Sequence, residues 1–236
     1  MGKNFVITDL HGCYSLWEQI KNNISKDDNL YCLGDNIDRG GRGFEIYQEM
    51  KHRPNTTILK GNHEDLASRA IPFLLKDGVQ FGNKYVNSWF SNGGMETWFN
   101  IENLSDKELL TLVYEFRRLP TIKYYKNKKN HLIILSHCGF TPEQEYEELW
   151  DREHFLHNWP KNHENEYIIH GHTPVAYLKH YLDSNNLNKI KKLPLFSEPI
   201  IYADGHKIDL DLGSFASNKI ALYDLDNETY QIFTGE

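Results

Sequence analysis

Five short apolar runs punctuate the chain, and each gives way at once to polar residues and glycine. They are Phe5-Val6-Ile7, Leu30-Tyr31-Cys32-Leu33, Thr57-Ile58-Leu59, Leu132-Ile133-Ile134-Leu135 and Tyr167-Ile168-Ile169. Runs this short and this rich in β-branched residues read as buried strands. Between the early ones, Leu16, Ile20 and Ile24 form one apolar stripe at helical spacing, and Phe44, Tyr47 and Met50 another. Strands alternating with helices predict an α/β fold, in which sites gather beyond the carboxyl ends of the strands.

From residue 65 to about 119 the pattern changes. Ala67 to Leu75 has helical character despite Pro72, and Ser105 with Glu108 three positions on predicts a capping box opening a helix that runs to about Arg118. This stretch is expected to be a mostly helical insertion within a single domain spanning 1–236, with its tryptophans serving as core. Residues 179–197, rich in Asn and Lys, predict a surface loop. The alternation over 198–234 predicts antiparallel strands.

Composition narrows the classes further. A length of 236 residues suits one sizeable domain, and 39% hydrophobic residues can bury a core. The net charge of -7 disfavours a nucleic-acid binder. Three cysteines without paired spacing predict a reduced, cytoplasmic protein. The start of the chain shows no leader pattern, and no apolar run reaches membrane-spanning length.

Metal-type ligands follow the strand runs: Asp9 and His11, Asp35, Asn62, His137 and His172. Asp9 and His11, two apart, would project to the same side of an extended chain. Carboxylate, carboxamide and imidazole together suit Mn, Fe or Zn, and the absence of cysteine ligands argues against structural zinc. Taken singly, each residue has a plainer reading. His11 can be a turn histidine, Asn62 a helix cap, His137 a strand-end core residue and Arg152 a surface charge. The order of the set is what carries weight, above all Gly34-Asp35-Asn36-Ile37-Asp38-Arg39-Gly40, followed by Gly61-Asn62-His63-Glu64, Ser136-His137-Cys138-Gly139, Trp150-Asp151-Arg152 and His170-Gly171-His172-Thr173.

That ordered set resembles the metallophosphoesterase superfamily, in particular its serine/threonine phosphoprotein phosphatase branch, whose short bacterial and phage members stand close to diadenosine tetraphosphatases. The resemblance runs from residue 9 to about 213. It departs at Thr8, where the family often has glycine, and in Asp211-Leu212-Gly213, where the family has Asp-Thr-Gly. It implies a calcineurin-like fold with two mixed β-sheets packed as a sandwich and flanked by helices. It also implies two divalent metal ions, manganese first, with iron, zinc, nickel and cobalt as alternatives. Asp9, His11 and Asp35 would hold one ion, and Asp35, Asn62, His137 and His172 the other. His63 would be the general acid, oriented by Asp38, while Arg39 and Arg152 would bind the phosphate.

The activity so implied is phosphomonoester hydrolysis by direct attack of a metal-bridging hydroxide, on phosphoserine and phosphothreonine in proteins or on small phosphate-containing substrates. A dinucleoside polyphosphate hydrolase and an inactive metal-binding module are the alternatives. No nucleic-acid or membrane partner is expected, and the oligomeric state is open. His170 is expected to be a packing residue, Cys13 and Cys138 small fillers, and His131, His154, His157, His163, His180 and His206 surface or loop residues.

Overall fold

The computed structural model describes residues 2–79, 82–140, 149–181 and 197–235. Ten described strands form two mixed five-stranded sheets. The first has the order β10 (Thr229–Thr234), β9 (Lys219–Asp224), β1 (Asn4–Ile7), β2 (Asn29–Cys32), β3 (Thr56–Ile58). The second has the order β4 (Ile122–Lys126), β5 (Leu132–Ser136), β6 (Glu166–His170), β8 (Lys207–Asp209), β7 (Ile200–Tyr202). Within each sheet three consecutive strands are parallel, β1-β2-β3 in one and β5-β6-β8 in the other. The flanking pairs are antiparallel.

The sheets face each other across a buried layer containing Val6, Leu33, Leu59, Leu135, Ile169, Ile208 and Tyr223. Parallel strands covered on both faces read as continuous apolar runs, which is why their sequence signal is strong. On the outer face of the first sheet lie α1 (Tyr14–Asn23), α2 (Gly43–His52), α3 (Asn62–Asp77), α4 (Lys84–Ser91), α5 (Gly94–Ile101) and α6 (Asp106–Arg118), which share one apolar cluster with Phe5, Ile7, Leu30 and Cys32. Pro72 lies within α3. The capping box forms as the sequence suggests: Glu108 N–H donates to Ser105 Oγ, and the Glu108 carboxylate accepts from Ser105 N–H at 2.8 Å. A short helix, α7 (Ser214–Ser217), precedes β9.

Two expectations change. The alternation over 198–234 predicts antiparallel strands, and β7, β9 and β10 pair in that way, but β8 is antiparallel to β7 and parallel to β6, with its polar residues buried. Lys207 is tolerated there because its ammonium donates to the carbonyls of His154 at 2.6 Å and His157 at 3.0 Å. His154 is therefore not a surface residue: the turn that delivers its carbonyl to Lys207 packs its ring at 4.9 Å from that of His170, in full burial. Of the expected 179–197 loop, residues 182–196 lie outside the described residues.

Candidate metal centre

The six parallel strands end along one edge of the sandwich, and the polar segments that follow them converge there. Asp9 and His11 follow β1, Asp35 follows β2, Asn62 and His63 open α3 just after β3, His137 follows β5 and His172 follows β6. All seven are buried, His172 at 8% exposure being the most accessible. The backbone makes tight excursions to bring them together. Asp9, His11, Asp35, Asp38, Arg39 and His172 all have positive φ, between 44° and 70°. Non-glycine residues rarely adopt this region, and such strain concentrates at functional sites. Asp9 and His11 are thus not on an extended chain as their spacing suggests. They nevertheless reach each other, with Asp9 Oδ1 3.9 Å from His11 Nε2.

Asp35 lies at the centre. Its Oδ1 accepts the N–H of His63 in the first turn of α3 at 3.0 Å, where a carboxylate complements the helix dipole. Its Oδ2 is 3.7 Å from His11 Nε2, 3.7 Å from His63 Nε2 and 3.4 Å from His137 Nε2. Asn62 Oδ1 stands 2.9 Å from both His137 Nε2 and His172 Nδ1. Asn62 is the first residue of α3 rather than its cap. Of the competing pair, His172 joins the cluster, while His170 turns to Tyr202 Oη at 2.8 Å.

Two groups of side chains, His11 with Asp35 and His63, and Asp35 with His137 and His172, each bring three ligand atoms within 4.8 Å of one another. Both contain Asp35. The donor set fits divalent ions in other respects. Asp9 Oδ1 is buried without a hydrogen-bond partner, a costly state that a cation would relieve. The remote nitrogens of His11 and His137 are fixed by the carbonyls of Ile37 at 3.1 Å and Leu33 at 3.0 Å, the usual way of orienting an imidazole ligand. Burial and the neighbouring His63 push the His11 imidazole well below its usual range, and burial and His137 do the same to His172. Both are then neutral, as ligation requires. Burial alone would raise Asp35, but His137 and His63 reverse that and hold its carboxyl well below the usual range. A side chain at Gly171 would overlap Asp9 and Thr8, so only glycine permits this approach of the loops.

His63, a member of the first group, also has its Nδ1 2.7 Å from Asp38 Oδ2 and its Nε2 facing Arg39 Nη2 at 3.2 Å. Burial would lower the His63 pKa, yet Asp35 and Asp38 together raise it above the ordinary histidine value. Arg152 is farther out. Its Nε donates to Thr173 Oγ1 at 3.1 Å, and its guanidinium is 5.6 Å from the centre of the Tyr181 ring. It is close enough to His172 to help hold that imidazole neutral.

Sequence reasoning assigned no role to Glu64. It is fully buried and accepts three backbone N–H groups, those of Asp35 and Gly61 through Oε2 and that of Asn36 through Oε1, each at 2.9 Å. Its place at the end of the Gly61–Glu64 stretch was the available signal. The Asp211–Ser214 segment also proves to be part of the edge, since Ser214 Oγ donates to the carbonyl of Asp9 and Asp211 Oδ1 accepts from Gly213 N at 2.7 Å.

The sequence profile of a family described as calcineurin-like phosphoesterase matches residues 3–176. Serine/threonine-protein phosphatase 2 of Escherichia coli (strain K12) is 32% identical over 145 residues, which span 60% of each chain. A symmetrical bis(5'-nucleosyl)-tetraphosphatase of Wigglesworthia glossinidia brevipalpis is 25% identical over 162 residues, covering 67% of this chain and 50% of that enzyme. The chain therefore matches only 60% or less of the length of these two relatives. Among solved structures, a putative diadenosine tetraphosphatase superposes over 100% of this chain and 94% of its own, with a TM-score of 0.62 at 13% identity, which is likeness of fold.

Proposed function

The chain belongs to the calcineurin-like phosphoesterase family, and from that premise we propose that it is a metal-dependent phosphatase acting on phosphoserine and phosphothreonine in proteins. The observation that carries the reading is that two potential metal groups share Asp35, and that His63, itself within reach of the first group, is bonded through Nδ1 to the buried Asp38. A passive metal site needs no such dyad, so an inactive binding module fits the arrangement less well.

In this reading Asp9, His11 and Asp35 hold one ion, and Asp35, Asn62, His137 and His172 the other, with manganese the first candidate. When bound, the ions would neutralise phosphate charge and acidify water. The chain itself does the rest. Arg39 and Arg152 grip phosphate oxygens, for which a planar guanidinium fork is suited. Arg39 now donates toward His63 Nε2; drawn onto a phosphate, it would leave that nitrogen free to carry a proton. Asp38 keeps the Nδ1 proton in place, so that Nε2 points to the leaving oxygen and protonates it. Buried walls around the cluster exclude bulk water. Cys13, Cys32 and Cys138 are not joined by disulfides, as suits a cytoplasmic enzyme, and no helix among the described residues is long and apolar enough to cross a membrane.

A second reading, hydrolysis of dinucleoside polyphosphates, is favoured by the tetraphosphatase relative. The higher identity to the protein phosphatase ranks it second. Catalytic efficiency on a phosphoserine peptide and on diadenosine tetraphosphate, compared with manganese present, tests the order. A higher value for the peptide supports the proposal, and a higher value for the dinucleotide reverses it.

A further inference from the structure

The helical segment does more than cover the first sheet. Trp89 on α4 is fully buried, and its indole N–H donates to Asp38 Oδ2 at 2.9 Å. This is the same oxygen that faces His63 Nδ1 at 2.7 Å. Thr97 on α5, also buried, accepts the backbone N–H of Asp38 at 2.8 Å through its hydroxyl. One residue further on, Arg39 N–H donates to the carbonyl of Gly93 at 3.0 Å. Gly93 and Gly94, between the two helices, permit this docking. Gly93 has φ 98°, and a side chain at Gly94 would overlap the Trp89 indole.

Asp38 needs such support. Its backbone is in the left-handed region at φ 70°, and Oδ1 has no partner. The terminal torsion of an aspartate is soft, so one bond to His63 would not fix it. Two donors converging on Oδ2, and a hydroxyl on the backbone, do.

Resting on the phosphatase reading above, we infer that Trp89 and Thr97 are positioning residues, which hold Asp38 and through it aim His63 at the leaving oxygen. The alternative is that both are only core residues. The two differ in how the defect depends on the leaving group. Protonation matters for the strongly basic leaving oxygen of a phosphoserine peptide and little for the weakly basic leaving group of p-nitrophenyl phosphate.

The experiment measures kcat and KM on both substrates for the wild-type protein and for Trp89→Phe, Thr97→Val, Thr97→Ser, Asp38→Asn and His63→Asn. Phenylalanine keeps an aromatic ring and removes the donor at the cost of a smaller side chain, a packing loss that should not depend on the leaving group. Trp89→Phe should lower kcat on the peptide by about tenfold, the rate equivalent of one hydrogen bond to a charged group, and Thr97→Val by about fivefold, that of a neutral one. Their KM should hold and their activity on p-nitrophenyl phosphate should stay close to wild type, with Thr97→Ser restoring the peptide rate. An equal fall on both substrates, or none on either, overturns the inference. Should Asp38→Asn and His63→Asn themselves show no dependence on the leaving group, the assignment of His63 as acid fails first, and the positioning role with it.

Discussion

The two halves of the candidate metal centre are built differently. On the first sheet, Asp9, His11, Asp35, Asn62 and His63 belong to segments that are bonded to one another. Glu64 ties the loop after β2 to the start of α3 through three backbone donors, and Asp35 caps the same helix. On the second sheet, His137 reaches across to Asn62, Asp35 and the carbonyl of Leu33, and His172 to Asn62 and, through its N–H, to Asp9 Oδ2 at 3.0 Å. One half is preorganised by its own backbone, and the other is completed by side chains reaching across the sandwich. A centre built this way should depend on ions to join its halves.

The largest expected effect follows directly. Removing divalent ions with a chelator should abolish phosphatase activity, and manganese should restore it. Activity that survives exhaustive chelation would show that the halves need no joining ions. Next comes His63→Asn, which should reduce turnover by about 10²–10⁴-fold, the usual range for losing acid–base catalysis, while metal content stays at the wild-type level. Should metal be lost as well, His63 belongs to the ligand set, as its place beside His11 and Asp35 allows.

Glu64→Gln sharpens the comparison. Whichever way the amide turns, its NH2 faces a backbone donor, so denaturant unfolding should show a loss of about 1–3 kcal/mol. Metal titration should show an affinity weakened by about 10–100-fold. An unaltered protein would mean that the first half owes little to this clamp. The smallest effect is expected for His170→Gln. Its ring bonds Tyr202 on the far side of Gly171, so metal content should not change, although stability will drop. Lost metal there would extend the centre beyond His172.

Much of this architecture was legible in the chain because the parallel strands are buried on both faces and announce themselves as unbroken apolar runs. The helix from Asp106 was legible because Ser105 and Glu108 are local partners. What stayed hidden depends on tertiary contact. Strand β4 is an edge strand whose residues are mostly exposed, so it carries no apolar run. His154 is buried by partners distant in sequence, its carbonyl accepting from Lys207 and its ring packing on His170. The dyad's neighbours Trp89 and Thr97 reach Asp38 from 51 and 59 positions away, and no local pattern links them. The candidate ligand residues were readable as an ordered series, and the structure gathers them at one edge. The left-handed backbone that aims them was not, since Asp9, His11 and Asp35 are not glycine.

The shared role of Asp35 is the point on which both halves turn, and metal stoichiometry tests it most directly. Wild-type protein and Asp35→Asn are loaded with manganese, freed of excess ion and analysed by elemental mass spectrometry, with folding checked by circular dichroism. The account predicts about two ions per chain in the wild type and almost none in the folded variant. A wild-type chain without bound metal, or a folded variant that keeps both ions, would contradict it.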